Sequence, residues 1–179
     1  QINKGRAKAA DRDSLLARIT PSADYGVLKD VDLVIEAVFE DPKVKEDVIK
    51  KISAAISADC IFASNTSTLP ITGLAAHATK PEQFVGIHFF SPVEKMLLVE
   101  VIRAKQTGDR AVAVAMDFIR AIKKTPIVVN DGRGFFANRS VLNYVYEGHK
   151  MLLEGVPPAM IENAAKMAGM PVGPLALND

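Results

Sequence analysis

Val31-Asp32-Leu33-Val34-Ile35-Glu36-Ala37-Val38 is an apolar, β-branched run with the length of a buried strand. Directly behind it, Asp41-Pro42 offers a helix N-cap and a proline at the first helical position. Val44, Val48, Ile52 and Ile56 then recur every fourth residue, which predicts an amphipathic helix. A second strand follows at residues 60–64. Strands alternating with helices of this length imply a largely parallel sheet covered on both faces. The fold class is α/β.

The alternation continues outward from this unit. A short helix is predicted over 70–76, strands over 84–89 and 97–102, and a helix over 109–122 with Val112, Met116, Ile119 and Ile122 on one face. Ile127-Val128-Val129 is a last short strand. After Asn130-Asp131-Gly132 the pattern turns helical throughout: Leu142, Val145, Tyr146, His149, Leu152 and Leu153 share a stripe, and Gly155 with Pro157-Pro158 closes that helix. Another helix over 159–168 stops at Gly169. A boundary near residue 130 therefore separates an α/β piece from an all-α piece.

Bulk properties narrow the function. Of 179 residues, 49% are hydrophobic and 24% charged, enough apolar material for a real core and against intrinsic disorder. A net charge of +1 gives no sign of a nucleic-acid or anionic-membrane partner. No apolar run approaches the roughly 20 residues that span a bilayer. Cys60, the single cysteine, heads an apolar strand and reads as a buried thiol. The sequons at Asn65 and Asn138 read as unglycosylated in an intracellular protein. The chain starts at Gln1 without a Met and reads as a fragment.

In open α/β sheets, ligands sit beyond the carboxyl ends of the strands. The polar residues at those ends are Glu40, Ser64-Asn65-Thr66-Ser67 and His88, and they are expected to converge on one crevice. Glu100 adds a carboxylate inside an apolar strand, where a charge needs a partner. His77 and His149 read as a surface and a helix-face residue.

Five stretches carry a resemblance: Val34-Ile35-Glu36-Ala37-Val38-Phe39-Glu40-Asp41, Phe62-Ala63-Ser64-Asn65-Thr66-Ser67-Thr68-Leu69, Gly86-Ile87-His88-Phe89-Phe90-Ser91-Pro92, Leu98-Val99-Glu100 and Gly134-Phe135-Phe136-Ala137-Asn138-Arg139. In order and spacing they resemble the 3-hydroxyacyl-CoA dehydrogenase family, and Gly169-Met170-Pro171-Val172-Gly173-Pro174 is similar to its helical dimerisation domain. The resemblance implies oxidation of the 3-hydroxyl of an acyl-CoA with hydride passing to NAD. It implies His88 as base, Glu100 as the carboxylate that holds it, and Ser67 and Asn138 on the substrate oxygen. Glu40, Lys45, Ser67 and Ser91 match cofactor-binding positions.

By the same resemblance, residues 1–130 are the later part of a Rossmann-type NAD-binding domain lacking its first βαβ segment, and 131–179 begin a helical substrate and dimerisation domain. It implies a homodimer, or a multienzyme complex with a thiolase subunit. The expected compartment is the bacterial cytoplasm, or a mitochondrion or peroxisome in a eukaryote. The sequence departs from the family twice. Ser91 stands where the monofunctional enzymes carry Asn, a trait of the multifunctional fatty-acid oxidation α subunits. The Gly-rich phosphate loop is not in this sequence, so the chain by itself is expected to be inactive. The rival expectations are a stand-alone 3-hydroxybutyryl-CoA dehydrogenase and a non-catalytic oligomerising relative.

Overall fold

The computed structural model describes residues 8–178. A helix α1 (Ala9–Leu16) and a 3-10 turn (Tyr25–Leu28) lead into the α/β part. That part contains β1 (Leu33–Glu36), α2 (Pro42–Ala55), β2 (Ile61–Ser64), α3 (Ile71–Ala75), β3 (Phe84–Phe89), β4 (Leu98–Arg103), α4 (Asp109–Ala121) and β5 (Thr125–Asn130). Beyond Asn130 the regular elements are helical: α5 (Ala137–Leu153), α6 (Pro158–Met167) and a last 3-10 turn. The sequence pattern had not indicated α1, which buries no residue and so has no apolar face to read.

The five strands lie in the order β1-β2-β3-β4-β5. Every neighbouring pair is parallel except β3 with β4, which run antiparallel. The connection between those two strands is too short for the crossover that parallel neighbours need. β1 is half the length that its apolar run suggests, because the Val38 amide donates to the Glu36 carboxylate at 3.1 Å and turns the chain out of the sheet. β5 forms an edge of the sheet, where Pro126 is tolerated.

Strand alternation divides the core. Ile61, Ala63, Val85, Ile87, Val99 and Val101 face α4 and meet Ala111, Val112, Ala115 and Ile119. Phe62, Phe84 and Ile102 face the other way and pack on Ile49 and Ile52 of α2, on Ile71 and Leu74 of α3, and on Phe135. Asp41 caps α2 by accepting from the amides of Lys43 and Val44 at 2.9 and 3.0 Å, worth about 1 kcal/mol.

Two helix faces differ from expectation. In α2, Ile52 is buried and Val48 and Ile56 pack against the core as expected, but Val44 is exposed and Lys45 and Ile49 widen the inward face. In α5, Val145 and Gly148 are buried, but Leu142, Tyr146, Leu152 and Leu153 are exposed.

Candidate active site

His88 and Glu100 are direct cross-strand partners in the antiparallel β3–β4 pair. Both side chains leave the sheet on the α3 side, and His88 Nδ1 lies 2.7 Å from Glu100 Oε2. They are 4% and 0% exposed. The imidazole sits between the rings of Phe90 and Phe135, with centroids at 4.5 and 5.9 Å. With Nδ1 committed to Glu100, Nε2 is the nitrogen left for a ligand.

The second oxygen of Glu100 is held too. Oε1 accepts from the amides of Phe136 and Ala137 at 3.0 and 2.9 Å, at the start of α5. Burial pushes the Glu100 carboxyl up, but the His88 bond and these two amides outweigh it and hold the group below the ordinary carboxylate range. The amides are aimed by a tight turn in which Gly134 and Phe135 both have positive φ, 71° and 46°. For a phenylalanine this conformation costs on the order of 1–3 kcal/mol, typical of backbone held at a functional site.

A second cluster surrounds the loop after β2. Glu40 Oε1 accepts from the Ser67 amide at 2.9 Å, the Thr68 amide at 3.1 Å and the Thr66 hydroxyl. Burial raises the Glu40 carboxyl, but the Thr66 hydroxyl, the Ser67 amide, the charge of Lys45 and the Thr68 amide together lower it. The Lys45 ammonium lies 3.4 Å from Glu40 Oε2 and 3.0 Å from both oxygens of Glu36. Lys45 is 1% exposed, although it stands in the first turn of α2. Glu36 also accepts from the Ser64 hydroxyl.

Asn138, in the first turn of α5, closes the arrangement: its Nδ2 donates to the Ser67 carbonyl at 3.0 Å. Asn65 Oδ1 accepts from the Phe89 amide at 2.9 Å and ties the ends of β2 and β3. Hydrogen bonds therefore run from Lys45 and Glu40 through Ser67 to Asn138, and the same helix start reaches Glu100 and His88. The Ser67 backbone is fixed on both sides, while its hydroxyl has no partner among the described residues. Ser91 lies exposed in the turn after β3, outside this network. A mostly apolar cavity of about 400 Å³ opens beside Thr68 and Asn138, walled by Val141, Leu142 and Val145.

Residues 1–132 match the family model of the 3-hydroxyacyl-CoA dehydrogenase NAD binding domain, and residues 134–179 match that of the C-terminal domain. The chain belongs to the 3-hydroxyacyl-CoA dehydrogenase family. Within this family, it is 44% identical over 178 residues to the fatty acid oxidation complex subunit alpha of Shewanella amazonensis and 46% identical to that of Shewanella baltica. It spans about a quarter of the length of these relatives, 25%, with 99% of its own length matched. The (S)-3-hydroxybutyryl-CoA dehydrogenase of Ralstonia eutropha superposes with a TM-score of 0.92 at 40% identity, covering 98% of this chain and 63% of that one. The dehydrogenase part of multifunctional enzyme 1 from C. elegans gives 0.68 at 28% identity, covering 96% and 40%.

Sequence reasoning had missed Glu36 within these contacts and Asp131 beside them. Glu36 was read as part of a strand, yet it is buried and neutralises Lys45. A carboxylate inside an apolar run, the signal already used for Glu100, would have found it. Asp131, whose partners lie about 60 residues away, left no comparable signal.

Proposed function

We propose that the protein is the dehydrogenase part of a fatty-acid oxidation multienzyme, oxidising an L-3-hydroxyacyl-CoA with NAD. The observation that carries this reading is the buried His88–Glu100 pair, joined through one helix start to Asn138 and Ser67. NAD, when bound, accepts hydride from C3 of the substrate. His88 Nε2 takes the hydroxyl proton, and Glu100 stabilises the imidazolium that results. Asn138 uses one amide hydrogen on Ser67, leaving its second for the substrate oxygen. The Ser67 hydroxyl donates to the same oxygen.

The described residues suit the nicotinamide end of the cofactor. Glu40 and Ser67 lie beyond the carboxyl ends of β1 and β2, where such ligands bind. Glu40 keeps one oxygen outside the Ser67 loop, 3.4 Å from the Lys45 ammonium. That oxygen suits a sugar hydroxyl, with Lys45 setting its charge. Ser91, exposed in the turn after β3, is assigned to the cofactor on the resemblance alone. The apolar cavity beside Asn138 suits the acyl chain.

In this reading residues 1–130 belong to the NAD-binding domain and residues 131–179 begin the helical domain that mediates dimerisation. A thiolase subunit and a cytoplasmic setting accompany it. No helix among the described residues is long and apolar enough to cross a membrane. A stand-alone 3-hydroxybutyryl-CoA dehydrogenase is the second reading, favoured by the close superposition on the Ralstonia eutropha enzyme. The full reading frame separates the two: the first requires an enoyl-CoA hydratase ahead of this chain.

The test is NADH formation by the full-length protein with (S)-3-hydroxybutyryl-CoA and longer 3-hydroxyacyl-CoA esters. Turnover of the S but not the R isomers is expected. Absence of NADH with every chain length contradicts the reading.

A further inference from the structure

Asp131 is the first residue beyond β5 and lies outside the contacts assigned above. Its Oδ1 accepts from the Ile71 amide at 2.9 Å and its Oδ2 from the Thr72 amide at 2.7 Å. These are the first amides of α3, whose N-cap position is Pro70 and has no side-chain cap of its own. Asp131 therefore supplies, from 60 residues away in sequence, the acceptor that a local Ser or Asp provides in most helices.

The connection between α3 and the candidate site is short. Ser67 lies four residues before Ile71. Glu40 holds the loop at the amides of Ser67 and Thr68, and Asp131 holds it at those of Ile71 and Thr72. Gly134, three residues past Asp131, donates to the Thr68 carbonyl at 3.4 Å, and Asn138 donates to that of Ser67. Gly86 lets α3 lie close to the sheet: a Cβ there would come within 2.9 Å of Ile71. The sheet thus limits α3 from below, and Asp131 fixes it to the turn that carries Asn138.

We propose that Asp131 is a positioning residue for the oxidation, holding the Ser67 loop in register with the start of α5. Through that contact the Ser67 hydroxyl and the Asn138 amide meet the same substrate oxygen. The proposal rests on the dehydrogenase reading. Loss of the carboxylate frees two amides and lets the loop drift, and a displacement near 1 Å can cost about a hundredfold in rate. Asp131→Ala is expected to lower kcat roughly tenfold while changing KM less.

The experiment is a double-mutant cycle in the full-length protein, with Asp131→Ala, Ser67→Ala and both together, read as single-turnover NADH formation. If Asp131 acts through Ser67, the second substitution costs markedly less in the presence of the first. Amide hydrogen exchange at Ile71 and Thr72 is expected to accelerate about tenfold or more in Asp131→Ala. Should that variant fail to fold, Asp131→Asn, which keeps one acceptor, replaces it in the cycle with a smaller expected loss. Strict additivity, or a wild-type kcat in a folded variant, overturns this role alone. An inactive wild type overturns the dehydrogenase reading and this role with it.

Discussion

Glu100 divides its two oxygens between His88 and the start of α5: Oε2 lies 2.7 Å from the imidazole, and Oε1 accepts from the amides of Phe136 and Ala137. One buried carboxylate thus holds the His88 imidazole and seats the helix that presents Asn138. Its charge and its geometry are separable by substitution.

Glu100→Gln deletes the charge and keeps the size and one oxygen. The imidazolium formed during oxidation loses the charge that faces it, so kcat is expected to fall on the order of tenfold or more. An unchanged rate in the full-length enzyme would make Glu100 a packing residue.

Acid stability tests the same carboxylate. Glu100 and Glu40 are both held below the ordinary range, so the folded state binds fewer protons than the unfolded state near their titration. Their contribution is fully present above the unfolded value of about 4.3 and is lost as pH falls through the folded values. Melting temperature is therefore expected to drop below about pH 4.3, and Glu100→Gln should shallow that drop. Identical acid slopes in the two proteins would rule out the inferred direction.

Lys45→Met tests the buried network. It removes the cation that faces Glu36, whose side chain is 1% exposed. Breaking a buried pair from one side costs about 3–5 kcal/mol. Urea unfolding should register a loss of that order, and a loss under about 1 kcal/mol, the range of a surface ion pair, would mean that the network is solvated.

Gly134→Ala tests the turn. Its φ of 71° is unfavourable for a residue with a Cβ, by roughly 1–2 kcal/mol. The added carbon would also press on the Asn138 Cβ at 3.3 Å. Lower stability together with a lower kcat is expected, and a stability loss with wild-type kcat would uncouple the turn from Asn138.

Much of this arrangement was legible from residue order alone, for identifiable reasons. Strands and helices follow hydrophobic period, so the five strands and the alternation around α2 and α4 were readable. The crevice was readable because strand ends collect ligands: Glu40 and the Ser67 loop do meet, and Asn65 draws the end of β3 to them. The burial of Lys45 against Glu36 was not, because hydropathy sees a lysine as outward and is blind to the carboxylate nine residues before it. The antiparallel turn of β4 escaped as well, although the short connection from Phe90 to Leu97 excludes a parallel crossover. Asp131 has no local pattern at all, because its partners are set by tertiary folding.

The central claim is that His88 is the base of an NAD-dependent oxidation, and single-turnover NADH formation by His88→Ala in the full-length protein tests it most directly. Removing the proton acceptor while leaving Ser67, Asn138 and Glu40 in place should reduce the rate by about 10²–10⁴, with substrate binding changed little. A variant that retains a third or more of the wild-type rate, roughly a threefold loss, would contradict the assignment and place the base elsewhere.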